Sequence, residues 1–292
     1  MPYFALMFAM LVWGISFIVT SQAIKTFPFM LFINLRFILA SGILWGLLLA
    51  RKKSVKIAKK DLKKMLFLFM VQPVGYFAFE TLGLKFTDPS NVSLILSLAP
   101  IFTMIWESRI NQEKLNLSQK VGVFFTVMAT ALFIWYDRRD TGLDFSFIGE
   151  GFAVLASLSA SFYVLLSRNL SDRYSPLQQT TFQFTFASLF FLPFSLPQAS
   201  AVAHINLNIL FSLLFLVVFC TVIAFLSISY ALKHIQSSKV SSLLNLIPMI
   251  TVIAAGIYGK EITLWHMAFM GMAVTGTWIA NRKQKEIVNI EY

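Results

Sequence analysis

Arg36 and Glu80 are the two charges that lie clearly inside long apolar runs of this sequence. An ionised side chain at the centre of a bilayer costs roughly 2.5 to 3.5 kcal/mol even on a lenient insertion scale, so it needs a partner, a water-filled space or a function. Counted along their runs as helices, Arg36 falls roughly 12 Å and Glu80 roughly 9 Å from the same membrane face. Those depths suit a pair. In one reading the pair is a structural salt bridge, or Arg36 extends its stem toward the interface. In the other, Glu80 is a titratable coupling group or docks a substrate amine, and Arg36 sets its charge state or meets a carboxylate.

Glu80 does not stand alone on its run. Gln72, Tyr76 and Glu80 recur at intervals of four, which places them on one face of a helix. Such a stripe is unsuited to lipid, so this face is expected to look into a helix bundle, with Pro73 bending it. Trp13 lies about ten residues into the first run, deeper than the interfacial belt where Trp gathers, and either packs or walls a cavity. Tyr163, Gln179, Gln183 and Tyr230 are further polar groups at cavity depth, and Asn34 stands beside Arg36.

The elements that position these residues follow from composition. The chain is 58% hydrophobic with 31 Phe, and its 13% charged content is well below the roughly 25% of soluble domains. Runs of about 20 apolar residues, each able to cross a core of roughly 30 Å, recur at 3–24, 28–50, 65–86, 88–106, 119–136, 147–167, 177–196, 208–232, 240–258 and 264–280. These are ten expected spans. Their connections are short; the longest, 51–64, is too small to bury a core. The first run has no preceding basic residue and no small-residue cleavage site, and reads as a retained helix. Cys220 is the single cysteine, which excludes an intrachain disulfide, and it reads as core. His204, His234 and His266 fall at loops or helix ends, too scattered to imply a metal, with a solvated or interfacial setting expected. No phosphate-binding Gly loop is present, so no ATP drive and no cofactor is expected within the chain.

The formal charge of +11 is distributed unevenly. With Arg36 set aside and the N-terminus placed in the cytoplasm, eighteen Lys and Arg fall inside, eight of them in 51–64, against Lys25, Lys85, Arg138, Arg139 and Lys260 outside. That bias predicts both termini cytoplasmic, and the lysines enforce topology and touch anionic headgroups without any call for nucleic acid.

The chain is also duplicated. Residues 84–113 and 232–261 align without a gap at an offset of 148, with eleven identities in thirty columns that include Leu84/Leu232, Lys85/Lys233, Ser93/Ser241, Pro100/Pro248, Thr103/Thr251 and Glu113/Glu261. The polar stretch 137–144 separates two sets of five spans, 3–136 and 147–280. An odd number of spans obliges the second set to enter from the opposite face, so the repeats are inverted. Pro100 and Pro248 then arrive near mid-membrane from opposite sides, each freeing the carbonyl four residues earlier, at Leu96 and Leu244. In lipid a freed carbonyl must find protein, substrate or water. Asn91, Ser93 and Ser97 in one copy, and Ser241, Ser242 and Asn245 in the other, are candidate partners or cavity-lining groups; the other reading is a packing kink with Ser and Asn bonded to a neighbouring helix. The paired acids Glu113 and Glu261 read as turn or cap residues.

With Trp13-Gly14-Ile15-Ser16-Phe17, Asn34-Leu35-Arg36-Phe37 and the duplicated Leu-Lys…Ser…Val-Ser…Leu…Pro…Glu segment, the chain resembles the EamA repeat of the drug/metabolite transporter superfamily over nearly its whole length. The resemblance implies an all-α membrane protein of ten transmembrane helices in two inverted five-helix repeats, cytoplasmic termini and a central cavity lined by spans 1, 3, 4, 6, 8 and 9. It also implies export of amino acids or related metabolites, driven by a gradient or by exchange. The halves differ where charge is concerned, Arg36 facing Phe184 and Glu80 facing Ile228 in the alignment. Specificity is therefore expected where the copies disagree.

The expected function is a secondary transporter, an exporter of small organic metabolites in a bacterial inner membrane, with proton or exchange coupling and with lipid and a small-molecule substrate as its partners. Its expected substrate contacts are Trp13, Gln72, Tyr76, Glu80, Asn91, Ser97, Tyr163, Tyr230 and Asn245. The alternative is an intramembrane enzyme or lipid-handling protein. It would need a convergent set of nucleophile, acid or metal ligands within the bilayer, and the sequence offers no such cluster and so no catalytic residue.

Overall fold

The computed structural model describes residues 1–52, 57–110, 112, 115–141, 146–171, 174–234, 243–244 and 246–280. Asn245, Ser241, Ser242 and Glu113 lie outside them. The described chain is all helical: α1 (Pro2–Thr26), α2 (Phe29–Ala50), α3 (Lys59–Phe69), α4 (Tyr76–Phe86), α5 (Pro89–Leu96), α6 (Ala99–Ile110), α7 (Leu117–Thr141), α8 (Ser146–Ser171), α9 (Pro176–Ser195), α10 (Leu207–Leu214), α11 (Ala224–His234), α12 (Ile247–Ile257) and α13 (Leu264–Ala280). Widened, π-type turns join α3 to α4 over Met70–Gly75 and α10 to α11 over Phe215–Ile223.

Among the described residues seven helical stretches are long and apolar enough to cross a membrane: Pro2–Thr26, Phe29–Ala50, Lys59–Phe86, Pro89–Ile110, Leu117–Asp137, Pro176–His204 and Leu207–Ile228. Phe147–Tyr163 and Ile247–Ile257 are shorter apolar helices, and α13 adds 17 residues. This is an all-α membrane protein.

Local chemistry sets the helix ends. Phe27, extended at φ −128° and ψ 141° as the residue before Pro28, closes α1. Asp88 accepts the Ser90 N–H at 2.8 Å and opens α5 with Pro89 behind it. Ser175 and Gln178 form a reciprocal capping box over Pro176 at the start of α9.

Packing follows the duplication. Helix α7 packs against α13, α2 against α9, and α5 against α12, each pair joining equivalent spans of the two halves. Two further contacts, α4 with α8 and α1 with α11, are each other's images under exchange of the halves, as are α1 with α12 and α8 with α5 and α6. A two-fold relation between the two repeats requires this pattern, and the α7–α13 crossing shows how close the helices come. A Cβ on Gly276 would meet Thr126 Oγ1 at 2.6 Å, so only glycine fits there. The rings of Phe37, Phe184 and Phe191 are buried between α2 and α9.

Pro100 and Pro248 behave differently from a kink in a continuous helix. Each is the second residue of a new helix, α6 or α12, where a missing N–H costs nothing. These starts, Ala99 and Ile247, are 148 positions apart, the offset of the repeat. The Leu96 carbonyl accepts a long bond from Ser157 Oγ at 3.5 Å, from α8 of the other half.

Candidate functional site

The expected stripe of Gln72, Tyr76 and Glu80 is interrupted in the structure. Gln72 has extended torsions, φ −146° and ψ 122°, and precedes Pro73 through a cis peptide bond, so it is out of helical phase with the two residues above it. The physical cause is Pro73, which supplies no N–H and restricts the residue before it. Tyr76 and Glu80 keep their four-residue relation, the phenol donating to Glu80 Oε1 at 3.5 Å.

The break exposes the Gln72 carbonyl, and Gln183 Nε2 of α9 donates to it at 3.0 Å. Tyr163 of α8 stands beside this amide: its hydroxyl reaches Gln183 Oε1 at 3.5 Å and receives Gln179 Nε2 at 3.4 Å. Gln72, Tyr163, Gln179 and Gln183, read separately along the sequence, therefore meet around one opened backbone.

The second widened turn does the same work by another route. Adding 148 to Gln72 gives Cys220, whose carbonyl accepts the Trp13 indole N–H at 2.8 Å. Adding 148 to Pro73 gives Thr221, whose hydroxyl donates to the Leu216 carbonyl five residues back at 2.9 Å and so helps hold the wide turn. One repeat opens its third span with a proline, the other with a threonine. Cys220 is fully buried and its thiol contacts the Val12 carbonyl at 3.3 Å, so its place in the core includes a polar tie to α1.

Arg36 comes to this second turn. Its Nε donates to Thr221 Oγ1 at 2.9 Å, and its guanidinium lies 4.8 Å from the centre of the Phe77 ring. Arg36 and Glu80 are each 7% exposed and close enough for their charges to act on one another, yet no ion pair joins them among the described residues. Each takes a neutral partner. Beyond Thr221, the Arg36 amino groups hydrogen-bond no described residue, and they are not among the sealed, partnerless atoms of the described core.

Aromatic rings bind the cluster across the two repeats. Trp13 meets Phe225 edge-on at 5.4 Å, Phe225 meets Phe184 at 5.3 Å, Phe184 lies 6.4 Å from Phe77, and Phe77 meets Tyr76 at 5.0 Å. Phe77 and Phe225 are themselves 148 residues apart and flank Phe184 from opposite halves. Beside Trp13, Gly14 lets α1 approach α12. A Cβ there would meet Ile250 Cγ2 at 2.5 Å, and Thr251 Oγ1 donates to the Gly14 carbonyl at 3.0 Å.

Other expected residues lie elsewhere. Asn91 is buried near the start of α5, with Nδ2 3.5 Å from Thr87 Oγ1 and its Oδ1 sealed without a partner. Ser97 turns back to the Leu94 carbonyl at 2.6 Å, and Ser93 to the Ser90 carbonyl at 2.9 Å. Asn34 joins Ser195 of α9 at 2.6 Å. Tyr230 is 42% exposed and rests on His234, with ring centres 4.4 Å apart.

Two residues depart from the sequence reading where the end of α7 meets the start of α13. His266, expected at a solvated or interfacial position, is 1% exposed, wedged between the rings of Phe133 and Tyr136. Asp137, read as the start of a polar break, is a buried residue of α7, which continues to Thr141. Charge near a predicted span end looks like a boundary in sequence, whereas here it is paired inside the fold.

Thr221 and Cys220 were not marked as site residues by type. The signal was present: extending the repeat alignment backward from Leu84 passes through Phe77/Phe225 to Pro73/Thr221 and Gln72/Cys220.

Comparison with known proteins agrees with this architecture. The EamA-like transporter family matches residues 1–135 and again 147–282. An uncharacterized transporter of Archaeoglobus fulgidus is 24% identical over 273 residues, 93% of this chain and 95% of its own. The uncharacterized transporter YyaM of Bacillus subtilis is 24% identical over 232 residues, 77% and 76% of the two chains. A crystal structure superposes with a TM-score of 0.69 at 16% identity, covering 96% of each chain, a likeness of fold. The twice-matched repeat and the paired breaks in equivalent spans lead to one assignment: the chain belongs to the EamA-like transporter family of the drug/metabolite transporter superfamily.

Proposed function

We propose that this transporter is a secondary carrier that exports small organic metabolites, amino acids or related compounds, by alternating exposure of a site between its two repeats. The observation that carries the reading is the pair of opened helices. At Gln72 the third span of the first repeat leaves helical geometry, and at Cys220 its counterpart widens into a π-type turn; each presents a carbonyl to a side-chain donor. Irregular backbone at membrane depth persists only inside protein or along a water-filled path, and broken helices at a repeat interface suit a substrate site. Because each break is held by a few replaceable hydrogen bonds, the two can rearrange in turn as the halves rock.

In this reading Arg36 and Glu80 meet the charged ends of the substrate. A buried charge without an opposite partner is costly, and two such groups kept apart, with the Arg36 amino groups unpaired by the described residues, suit a solute that completes them. Trp13, Tyr76, Phe77 and Phe225 supply an aromatic wall for its apolar body. The proposed setting is the inner membrane with both termini in the cytoplasm, as the basic bias of 51–64 supports.

Purified protein in liposomes preloaded with unlabelled solute, screened with labelled amino acids and related metabolites, tests this. Saturable counterflow of at least one solute is the expected result. Flux that never saturates, or chemical conversion of the solute without net movement, would overturn it.

A further inference from the structure

Equivalent positions of the two repeats carry unequal charge where the repeats meet. Arg36 on α2 and Phe184 on α9 are 148 residues apart, and α2 packs on α9. The guanidinium lies 4.8 Å from the centre of the Phe77 ring, and Phe184 stands in the corresponding relation to Phe225, at 5.3 Å. Phe184 also comes within 6.4 Å of Phe77, while Arg36 crosses to Thr221 of the other repeat at 2.9 Å. Each member of the pair therefore meets the third span of both repeats. This sets Arg36 beside the two-fold axis, with its amino groups bonded to no described residue.

Glu80 is placed otherwise. Helices α4 (Tyr76–Phe86) and α11 (Ala224–His234) are one element repeated at the offset of 148, and Glu80 and Ile228 share a register in them. Each stands six residues, roughly 9 Å, from the end of its helix, and five spans per repeat put those two ends at opposite faces of the membrane. Tyr76, which bonds Glu80 at 3.5 Å, corresponds to Ala224. One half of the bundle thus carries a buried carboxylate near the axis pair, whereas the other carries Ile228, packed against Leu6, Met10 and Ala231. Toward that second face the polar groups around the opened turn, Tyr163, Gln179 and Gln183, are neutral.

Alternating exposure treats the two charges differently. When the halves rock about the axis, a group beside it keeps its place in the site, whereas a group away from it faces the site from one side. A solute group held in one state alone makes the affinities of the two states unequal. We infer that Arg36 anchors the anionic group of a zwitterionic solute in both states, and that Glu80 holds its ammonium only when the carrier is open to the face where α4 ends. Affinity for ammonium-bearing solutes is then higher at that face, the outer one in the proposed topology. This rests on the carrier reading and adds to it which end of the solute each face of the protein recognises.

Competition from one face at a time tests it. Right-side-out and everted vesicles from expressing cells present opposite faces; both are preloaded with unlabelled leucine, methionine or phenylalanine and offered the same amino acid labelled. Leucinol keeps the ammonium and lacks the carboxylate, and N-acetylleucine keeps the carboxylate and lacks the ammonium. Leucinol is expected to compete about tenfold more strongly from the face where α4 ends, the scale of one hydrogen bond to a charged group, and N-acetylleucine equally from both. Glu80→Gln should abolish the difference for leucinol and spare competition by N-acetylleucine, and Arg36→Gln should weaken N-acetylleucine at both faces. Ile228→Glu puts a carboxylate at the equivalent position and should let leucinol compete from the other face as well. Glu80→Gln, the milder change, decides the matter where Ile228→Glu does not fold. Equal or reversed competition by leucinol in the parent, a difference that survives Glu80→Gln, or one-sided competition by N-acetylleucine would overturn the inference. Those results all require counterflow and leave the carrier reading standing; counterflow with none of the three amino acids would remove that reading and the inference with it.

Discussion

Gln72 and Cys220, 148 residues apart, present their backbone carbonyls at equivalent points of the two repeats, one to the Gln183 amide at 3.0 Å and the other to the Trp13 indole at 2.8 Å. The same need is met by unrelated side chains. Backbone geometry is duplicated, and the groups that satisfy it are not.

Removing either donor deletes a side-chain hydrogen bond to a backbone carbonyl, a contribution of about 0.5–1.5 kcal/mol. Trp13→Phe and Gln183→Leu are therefore each expected to lower the midpoint of thermal unfolding in detergent and to slow counterflow. Unchanged melting in both variants would remove the capping role assigned to these side chains.

Thr221 serves two partners, donating to Leu216 and accepting from Arg36. Thr221→Val keeps the shape and deletes both bonds. It should reduce transport about tenfold, equivalent to roughly 1.4 kcal/mol, whereas Thr221→Ser should restore most of the loss. If Val performs as well as Ser, the hydroxyl is not what orients Arg36.

At the α1–α12 crossing, Gly14→Ala places a methyl against Ile250 and is expected to destabilise the protein by about 1–3 kcal/mol. Adding Ile250→Ala should recover part of that loss. Urea or thermal titration of the single and double variants measures it, and additive losses would show that the two residues do not share the space.

Arg36→Gln and Glu80→Gln each remove one of the charges proposed to meet the substrate. Losing a hydrogen bond to a charged group costs about 1.5–3 kcal/mol, so the apparent KM for a charged solute should rise at least tenfold. An unaltered KM in both variants would remove these charges from the substrate site.

A reporter fused after Tyr292 should read out as cytoplasmic, since the basic residues cluster in 51–64 and at the corresponding face. A periplasmic signal would reverse the assignment of faces.

The sequence by itself was enough for the class and the plan: recurring apolar runs could only be membrane helices, an offset of 148 could only be a duplication, and Pro100 with Pro248 marked matching breaks, which the structure turns into helix starts. These features depend on composition and local spacing, which sequence displays directly. The site was legible in part. Arg36, Glu80, Tyr76, Trp13, Gln72 and Tyr163 stood out because polar side chains are conspicuous in apolar runs. What tertiary structure alone decided was who meets whom. Arg36 takes Thr221 and Phe77 where an ion pair with Glu80 was one expectation, Trp13 caps a carbonyl 207 residues away, and His266 enters the core against Asp137. Backbone carbonyls carry no letter in the sequence, so the groups freed at Gln72 and Cys220 became visible only when the helices were seen to open and another helix was seen to answer them.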